Sequence, residues 1–425
     1  MEYLSITGKT KLSGSVHLPS AKNSVLPILA ASLLCEGEVI INGVPHLSDV
    51  DVSIEILQSL GCRAKLIHGS VHINAQGVEE HFIPRHLMGA MRSSIFYLAP
   101  LLARTGFAKV HSPGGCRLGA RPIDIHLDGL QHMGAQINLH GDELVLSAPN
   151  GFTGTDYTLR LPSVGATETL MMAAAAARGN TVLRGVATEP EILDLSQFLI
   201  SCGAKITGVG TNTIYVQGGT LLHGTEYTPF PDRITAATML CAAAATGGYV
   251  RLSNCVPQHI DATLQILKRM GCEIGNANGA LTLCAPTRVC GTGTLVTGAY
   301  PHFCTDAAPL MAAVLLTAKG NASITDTVFE NRFTCANGFR AFGANAEQSG
   351  RDIIIKGVDK LHGASVIAPD LRGGAALVIA AMCAEGNSRV YGIEHLNRGY
   401  EDIGAIFASL GADIATVRGT NESIA

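Results

Sequence analysis

One stretch concentrates reactive chemistry: Ser112-Pro113-Gly114-Gly115-Cys116-Arg117-Leu118-Gly119-Ala120-Arg121-Pro122-Ile123-Asp124. Glycines let backbone approach a ligand closely and permit positive φ. Guanidiniums form paired bonds to phosphate or carboxylate. A thiol beside them can serve as nucleophile or proton donor. Taken alone, the stretch also fits a flexible surface loop around a buried thiol, since a free Cys often behaves as a small core residue.

Two further sets of segments carry polar chemistry. The first leads into Ala-rich apolar runs: Ser20-Ala21-Lys22-Asn23, Gly89-Ala90-Met91-Arg92-Ser93, Pro162-Ser163-Val164-Gly165, Pro231-Asp232-Arg233, Cys304-Thr305-Asp306 and Asp370-Leu371-Arg372-Gly373. Free N–H groups at helix starts favour anions, and Lys22, Arg92, Arg233 and Arg372 add full positive charge. Simple capping is the competing role for Ser163 and Asp232; it explains little about Lys22. The second set follows the next strand in each case and includes Arg121, Arg332 in Phe329-Glu330-Asn331-Arg332-Phe333, and Arg398 in Asn397-Arg398-Gly399-Tyr400-Glu401.

These segments recur because the chain repeats. An apolar helical run closing on Gly appears at Leu57–Gly61, Leu130–Gly134, Leu199–Gly203, Leu267–Gly271, Phe339–Gly343 and Phe407–Gly411, with the glycines 73, 69, 68, 72 and 68 residues apart. Near-constant spacing over six units is the mark of an internal repeat, and each Gly suits a left-handed helix cap. In phase with it run Leu26–Gly37, Ile95–Gly106, Thr169–Gly179, Ala236–Gly247, Ala308–Gly320 and Ala375–Gly386, apolar around most of their circumference. Such helices are expected to be buried on all sides. Each unit reads strand, buried helix, strand, amphipathic helix, strand, strand (βαβαββ), an α/β protein with helices inside and sheets outside. The sixth unit ends early, so residues 1–19 are expected to complete the sheet of the C-terminal half. That predicts two domains of three repeats, 20–229 and 1–19 plus 230–425.

Composition bounds the function. The 425 residues are 47% hydrophobic and 15% charged, with a net charge of −4. The chain is a well-buried globular protein with no general pull toward nucleic acid or a membrane surface. Its 12 Cys contain no C-x-x-C pair and no zinc-like Cys/His spacing. The start lacks the pattern of a signal peptide, and apolar runs such as Ala375–Ala384 are shorter than the roughly 20 residues that span a bilayer. A reduced, cytoplasmic protein is the expectation.

Ala21-Lys22-Asn23, Gly114-Gly115-Cys116, Gly119-Ala120-Arg121-Pro122, Ser163-Val164-Gly165-Ala166-Thr167, Pro231-Asp232-Arg233, Thr305-Asp306, Phe329–Phe333, Asp370-Leu371-Arg372 and Arg398-Gly399-Tyr400-Glu401, in that order, resemble the UDP-N-acetylglucosamine 1-carboxyvinyltransferases. The resemblance spans nearly the whole chain. It implies a pair of inside-out α/β barrels and transfer of the enolpyruvyl group of phosphoenolpyruvate to the 3-hydroxyl of UDP-N-acetylglucosamine, at the start of peptidoglycan synthesis. No metal or organic cofactor is implied. By resemblance, Cys116 is the proton donor and the residue alkylated by fosfomycin. Lys22, Arg121 and Arg398 would hold phosphoenolpyruvate, with Arg92, Arg332 and Arg372 completing a cationic surround. Asn23, Arg121, Pro122, Ile123, Asp124, Ile125, Ser163, Val164, Gly165, Asp306 and Val328 would bind the nucleotide sugar, and Asp306 would be the base.

There are departures. Cys304 stands where the family usually has Pro, Thr334-Cys335 replace bulkier residues, and Leu161 replaces a basic residue, although Arg160 is adjacent. Two alternatives remain open at this point. Enolpyruvylshikimate-phosphate synthase shares the architecture but typically lacks the reactive Cys. A non-catalytic nucleotide-sugar-binding paralogue would be expected to lose Lys22, Cys116, Asp306 or Arg398.

Overall fold

The computed structural model describes residues 2–111 and 123–418. They divide into two compact units, residues 20–111 with 123–230, and residues 2–19 with 231–418.

Among the described residues each unit contains three small sheets of one design, two parallel strands then two antiparallel ones, and the unit 20–230 adds a short parallel pair, Leu222–His223 with Cys35–Glu36. In the repeat that runs uninterrupted, Asp156–Thr158 pairs parallel with Asn180–Arg184, which pairs antiparallel with Thr213–Gln217, which pairs antiparallel with Lys205–Thr207. The fifth repeat follows the same order through Gly293–Val296, Asn321–Thr325, Asp352–Lys356 and Asn345–Ser349. In the second repeat the leading strand shrinks to a bridge, Phe82 with Lys109.

The ends of the chain modify this plan. Glu2–Thr7 is the third strand of the sixth sheet, between Asn387–Tyr391 and Asp413–Arg418. Leading strands are exchanged where the chain passes from one unit to the other. Ser13–His17 runs into the helix Lys22–Ala31 but pairs with Tyr249–Ser253. Glu226–Tyr227 runs into the helix Arg233–Thr246 but pairs with Glu38–Ile41. Buried Asp194 ties the second passage down. It accepts the Tyr227 hydroxyl at 2.6 Å and the Phe230 N–H at 2.7 Å, and burial holds its carboxyl up at about 6 despite those bonds.

The layering follows from the side chains. The helices Arg233–Thr246, Ala308–Leu315 and Leu371–Cys383 are buried along almost their whole length and pack on one another. Small Ala side chains permit that close approach. The strands around them alternate: Ile353 and Ile355 point to the core and Ile354 is 53% exposed, the period of two expected of a sheet with one wet face. The amphipathic helices all end in one way. Gly61, Gly134, Gly203, Gly271, Gly343 and Gly411 have φ between 82° and 104°. Each next N–H reaches back to a helix carbonyl, as Cys62 to Leu57 and Cys272 to Leu267, both at 3.0 Å. This is the paired left-handed cap expected from the sequence.

One buried helix starts later than the sequence predicts. The expected run from Ile95 is a 3-10 segment, Arg92–Tyr97, followed by the α-helix Leu98–Thr105. The segment before Ala308–Leu315 is likewise 3-10, Thr305–Ala307. Pro100 and Pro309 lie in the first turns of those α-helices. A proline there cannot donate to the preceding turn, so the chain tightens before it.

Because the first strand lies inside the sixth sheet, an N-terminal core substitution should destabilise the C-terminal half. Ile6→Ala, at a fully buried position, should cost about 3 kcal/mol. Hydrogen exchange should accelerate in Asn387–Tyr391 and Asp413–Arg418 while the strands of the unit 20–230 keep their protection.

Candidate active site

A helix buried along its sides offers only its ends to a ligand. Among the described residues, the polar groups picked out in the sequence lie at the N-terminal ends of the buried helices and in the loops beside them. Capping accounts for some of them. Ser163 accepts from the Ala166 N–H, Asp232 from Ile234 and Thr235, and Asp370 from Arg372 and Gly373. The starts at Lys22, Arg92 and Thr305 have no side-chain cap.

In the unit 2–19 with 231–418, Asp306 stands between two buried guanidiniums. Arg332 donates to its Oδ1 at 2.5 Å and Arg372 to its Oδ2 at 3.2 Å. Arg332 also donates to the Thr305 carbonyl at 2.8 Å and lies 5.4 Å from the Phe329 ring centre. Burial pushes the Asp306 carboxyl up, but Arg372, Arg332 and more distant Arg233 outweigh it and hold the group well below the usual carboxylate range. Its ion pairs therefore contribute fully above about pH 4, the ordinary carboxylate value, and fade as the pH falls below that. The side chain keeps 27% of its surface exposed, so a ligand hydroxyl can reach a remaining lone pair.

The loop that carries Val328 and Arg332 is pinned by Asp326, a fully buried residue absent from the sequence reading. Its Oδ1 accepts from the Val328 and Phe329 N–H groups at 2.8 and 2.6 Å, and its Oδ2 from the Thr305 hydroxyl at 2.5 Å. Val328 itself is exposed. Arg398 and Arg233 are half-buried at the same end of their repeats.

In the unit 20–230, Lys22 and Asp49 form a buried ion pair at 2.6 Å, with side-chain exposures of 10% and 6%. Asp49 is the second residue the sequence reading passed over; it lies in the first turn of the amphipathic helix Ser48–Ser59. Asn23, next to Lys22, is exposed. A second group gathers around the helix Val164–Ala176. His126 is buried, its Nδ1 is 2.9 Å from the Thr169 hydroxyl, and a side chain on Gly165 would press on its ring. Burial and the Arg92 charge hold His126 down at about 3 against the pull of Asp124, so it is neutral at physiological pH. Asp124 is ion-paired to Arg160, both exposed, while Leu161 projects outward at 48%. Arg160 thus brings positive charge to Asp124, one of the expected sugar-site residues. Ile123 is half-buried, Ile125 is buried, and Ser163, Val164 and Gly165 are half-buried at the helix start.

Cys116, Arg121 and Pro122 lie outside the described residues. Cys35, Cys62, Cys241 and Cys272 are buried and Cys383 is half-buried; of the two departures from the family, Cys335 is buried and Cys304 half-buried. Among the described residues no group of three His, Cys, Asp or Glu could hold a metal ion, and no helix is long and apolar enough to cross a membrane.

The Lys22–Asp49 pair can be tested through stability. Lys22→Met removes the cation held against the buried Asp49 carboxylate and should cost about 3–5 kcal/mol. Adding Asp49→Leu should recover most of that loss in a denaturant titration.

The sequence family described as EPSP synthase (3-phosphoshikimate 1-carboxyvinyltransferase) matches residues 6–406. A UDP-N-acetylglucosamine 1-carboxyvinyltransferase 2 from Caldanaerobacter subterraneus subsp. tengcongensis is 45% identical over 97% of this chain and 99% of its own. A UDP-N-acetylglucosamine 1-carboxyvinyltransferase from Finegoldia magna is 40% identical over 98% and 99%. Among solved structures, the enolpyruvyl transferase NikO from Streptomyces tendae has a TM-score of 0.89 at 24% identity, covering 99% of both chains. EPSP synthase from Acinetobacter baumannii has a TM-score of 0.75 at 20% identity, covering 98% of this chain and 100% of its own. These two likenesses concern the fold, which is that of the enolpyruvyl transferases. Identity of this order, sustained over almost every residue of both partners, means that the chain belongs to the UDP-N-acetylglucosamine 1-carboxyvinyltransferase family.

Proposed function

We infer that this chain transfers the enolpyruvyl group of phosphoenolpyruvate to the 3-hydroxyl of UDP-N-acetylglucosamine, releasing phosphate, as the first committed step of cell-wall peptidoglycan synthesis. The observation that carries the reading is 45% identity to a UDP-N-acetylglucosamine 1-carboxyvinyltransferase over nearly all of both chains. The ion-paired Asp306 and the cations at the buried-helix starts support it. A cytoplasmic location fits a reaction between two soluble anionic metabolites, and two domains of three repeats each would supply the residues.

In this reading the Cys116 thiol gives a proton to the methylene carbon of phosphoenolpyruvate. The sugar oxygen bonds to the adjacent carbon while its own proton passes to Asp306. The tetrahedral adduct then returns a methyl proton to the Cys116 thiolate and breaks its carbon–oxygen bond to phosphate, which leaves with the bonding electrons as the double bond is restored. Lys22, Arg121 and Arg398 hold the phosphate and carboxylate, with Arg92, Arg332 and Arg372 adding positive charge. Asp306 is a weak base because two guanidiniums stabilise its anion. It accepts a proton only as the attacking hydroxyl becomes acidic in the transition state, so its position matters more than its proton affinity. Asn23, Asp124, Ile125, Ser163–Gly165 and Val328 take the nucleotide sugar. Fosfomycin would alkylate Cys116.

Phosphate release from phosphoenolpyruvate should depend on UDP-N-acetylglucosamine, and shikimate 3-phosphate should not replace it; the opposite preference would assign the chain to the shikimate reaction. Cys116→Ala should abolish turnover and remove inhibition by fosfomycin. Asp306→Asn should lower kcat by about 10²–10⁴-fold, and an unchanged kcat would remove Asp306 as base. Arg160 supplies charge beside Leu161, where the family usually carries a basic residue. Arg160→Ala should therefore raise KM for the nucleotide sugar about tenfold with little change in kcat, the loss of one charged contact to a diphosphate.

A further inference from the structure

Tyr400 is fully enclosed, yet its hydroxyl is not idle. It lies 2.8 Å from the Thr238 hydroxyl and accepts from Arg372 Nη1 at 3.2 Å, with the guanidinium 5.8 Å from the ring centre. Thr238 in turn donates to the Ile234 carbonyl at 2.9 Å, so its hydroxyl is the acceptor for Tyr400. The other arm of Arg372, Nη2, goes to Asp306 Oδ2. A continuous chain of polar contacts thus runs from Thr238 through Tyr400 and Arg372 to Asp306 and Arg332. Its members come from all three repeats of the unit: Thr238 from the helix Arg233–Thr246, Asp306 from the segment Thr305–Ala307, and Arg372 from the helix Leu371–Cys383.

The consequence lies in how the Arg372 fork is divided. A guanidinium facing a lone carboxylate prefers to place two parallel N–H groups on its two oxygens. Here Nη1 donates to the phenol, which orients the fork so that Nη2 is the nitrogen that bonds Asp306. A carboxylate has about four acceptor positions; this division, with Arg332 on the other oxygen, leaves acceptor capacity toward the exposed part of the side chain.

We propose that Tyr400 is a positioning residue for the transfer reaction: by holding one arm of Arg372, it keeps Asp306 singly bonded on that side and open to the attacking hydroxyl. Without the phenol, the freed Arg372 nitrogen can turn onto Asp306 and take up the acceptor position that the substrate needs. The inference rests on Asp306 acting as the base.

The test is a double-mutant cycle on the full-length protein, read as steady-state phosphate release with phosphoenolpyruvate and UDP-N-acetylglucosamine. Tyr400→Phe should lower kcat about tenfold, the size expected for mispositioning through one charged hydrogen bond, with both KM values within about threefold of wild type. In an Asp306→Asn background the same substitution should change kcat by less than about twofold, because the group it acts through has already been removed. Thr238→Val, which loosens the other side of the phenol, should lower kcat in the same direction and by less. Equal losses from Tyr400→Phe in the two backgrounds would overturn the proposal and leave a purely structural tyrosine. An unchanged kcat in Tyr400→Phe would overturn it as well. If Asp306→Asn alone has no effect, the base assignment fails, a different outcome from additivity. Should Tyr400→Phe fold poorly, Thr238→Val carries the same cycle with Asp306→Asn.

Discussion

A helix that is apolar on every side can present chemistry only at its ends. That constraint governs this molecule. In each unit, buried helices rich in Ala pack on one another and three small sheets enclose them. The outer sheet faces are wet and the helix flanks are closed. Charged groups that serve a ligand must therefore stand at helix starts or on the loops beside them. Lys22, Arg92, Asp306 and Arg372 all occupy such positions. Repetition then multiplies the effect, since one arrangement copied three times per unit gathers three starts at corresponding places.

Placing charge at the end of a buried helix is costly unless each group is paired. The pairing is correspondingly thorough. Lys22 meets Asp49, Arg332 and Arg372 share Asp306, and Asp326 gathers a hydroxyl and two backbone N–H groups. Each pairing also limits what its members can do. Asp306 is kept ionised, which makes it an acceptor, and is kept a weak base by the same contacts. In a site of this kind, reactivity depends on how bonds are divided among groups as much as on which groups are present.

Much of this was legible from the sequence, for identifiable reasons. Six glycines at near-constant spacing mark six helix ends, because a left-handed cap strongly favours that residue. All-round apolar runs mark buried helices, and the missing end of the sixth repeat points to the N-terminal strand. The expected boundaries, 19/20 and 229/230, already leave each leading strand in the unit where it pairs, but the individual partners were not legible. Glu226–Tyr227 is two residues long and its partner lies nearly two hundred positions earlier, so no local pattern records the pairing. The 3-10 starts at Arg92 and Thr305 were signalled by Pro100 and Pro309, whose consequence is clear only once the helix boundaries are known. Asp49, Asp326 and His126 escaped notice because each looks locally like an ordinary turn or helix residue. Tyr400 stood within a recognised motif, but one of its two hydroxyl partners, Thr238, lies 162 positions away.

The central claim is that substrates are received at the starts of the buried helices. Hydrogen–deuterium exchange with and without UDP-N-acetylglucosamine tests it most directly. Slower exchange should appear at residues 20–24, 92–97, 163–167 and 305–307, while outward-facing strands such as Asp352–Lys356 stay unchanged. Slowing confined to the sheet faces, with the helix starts unaffected, would contradict the account.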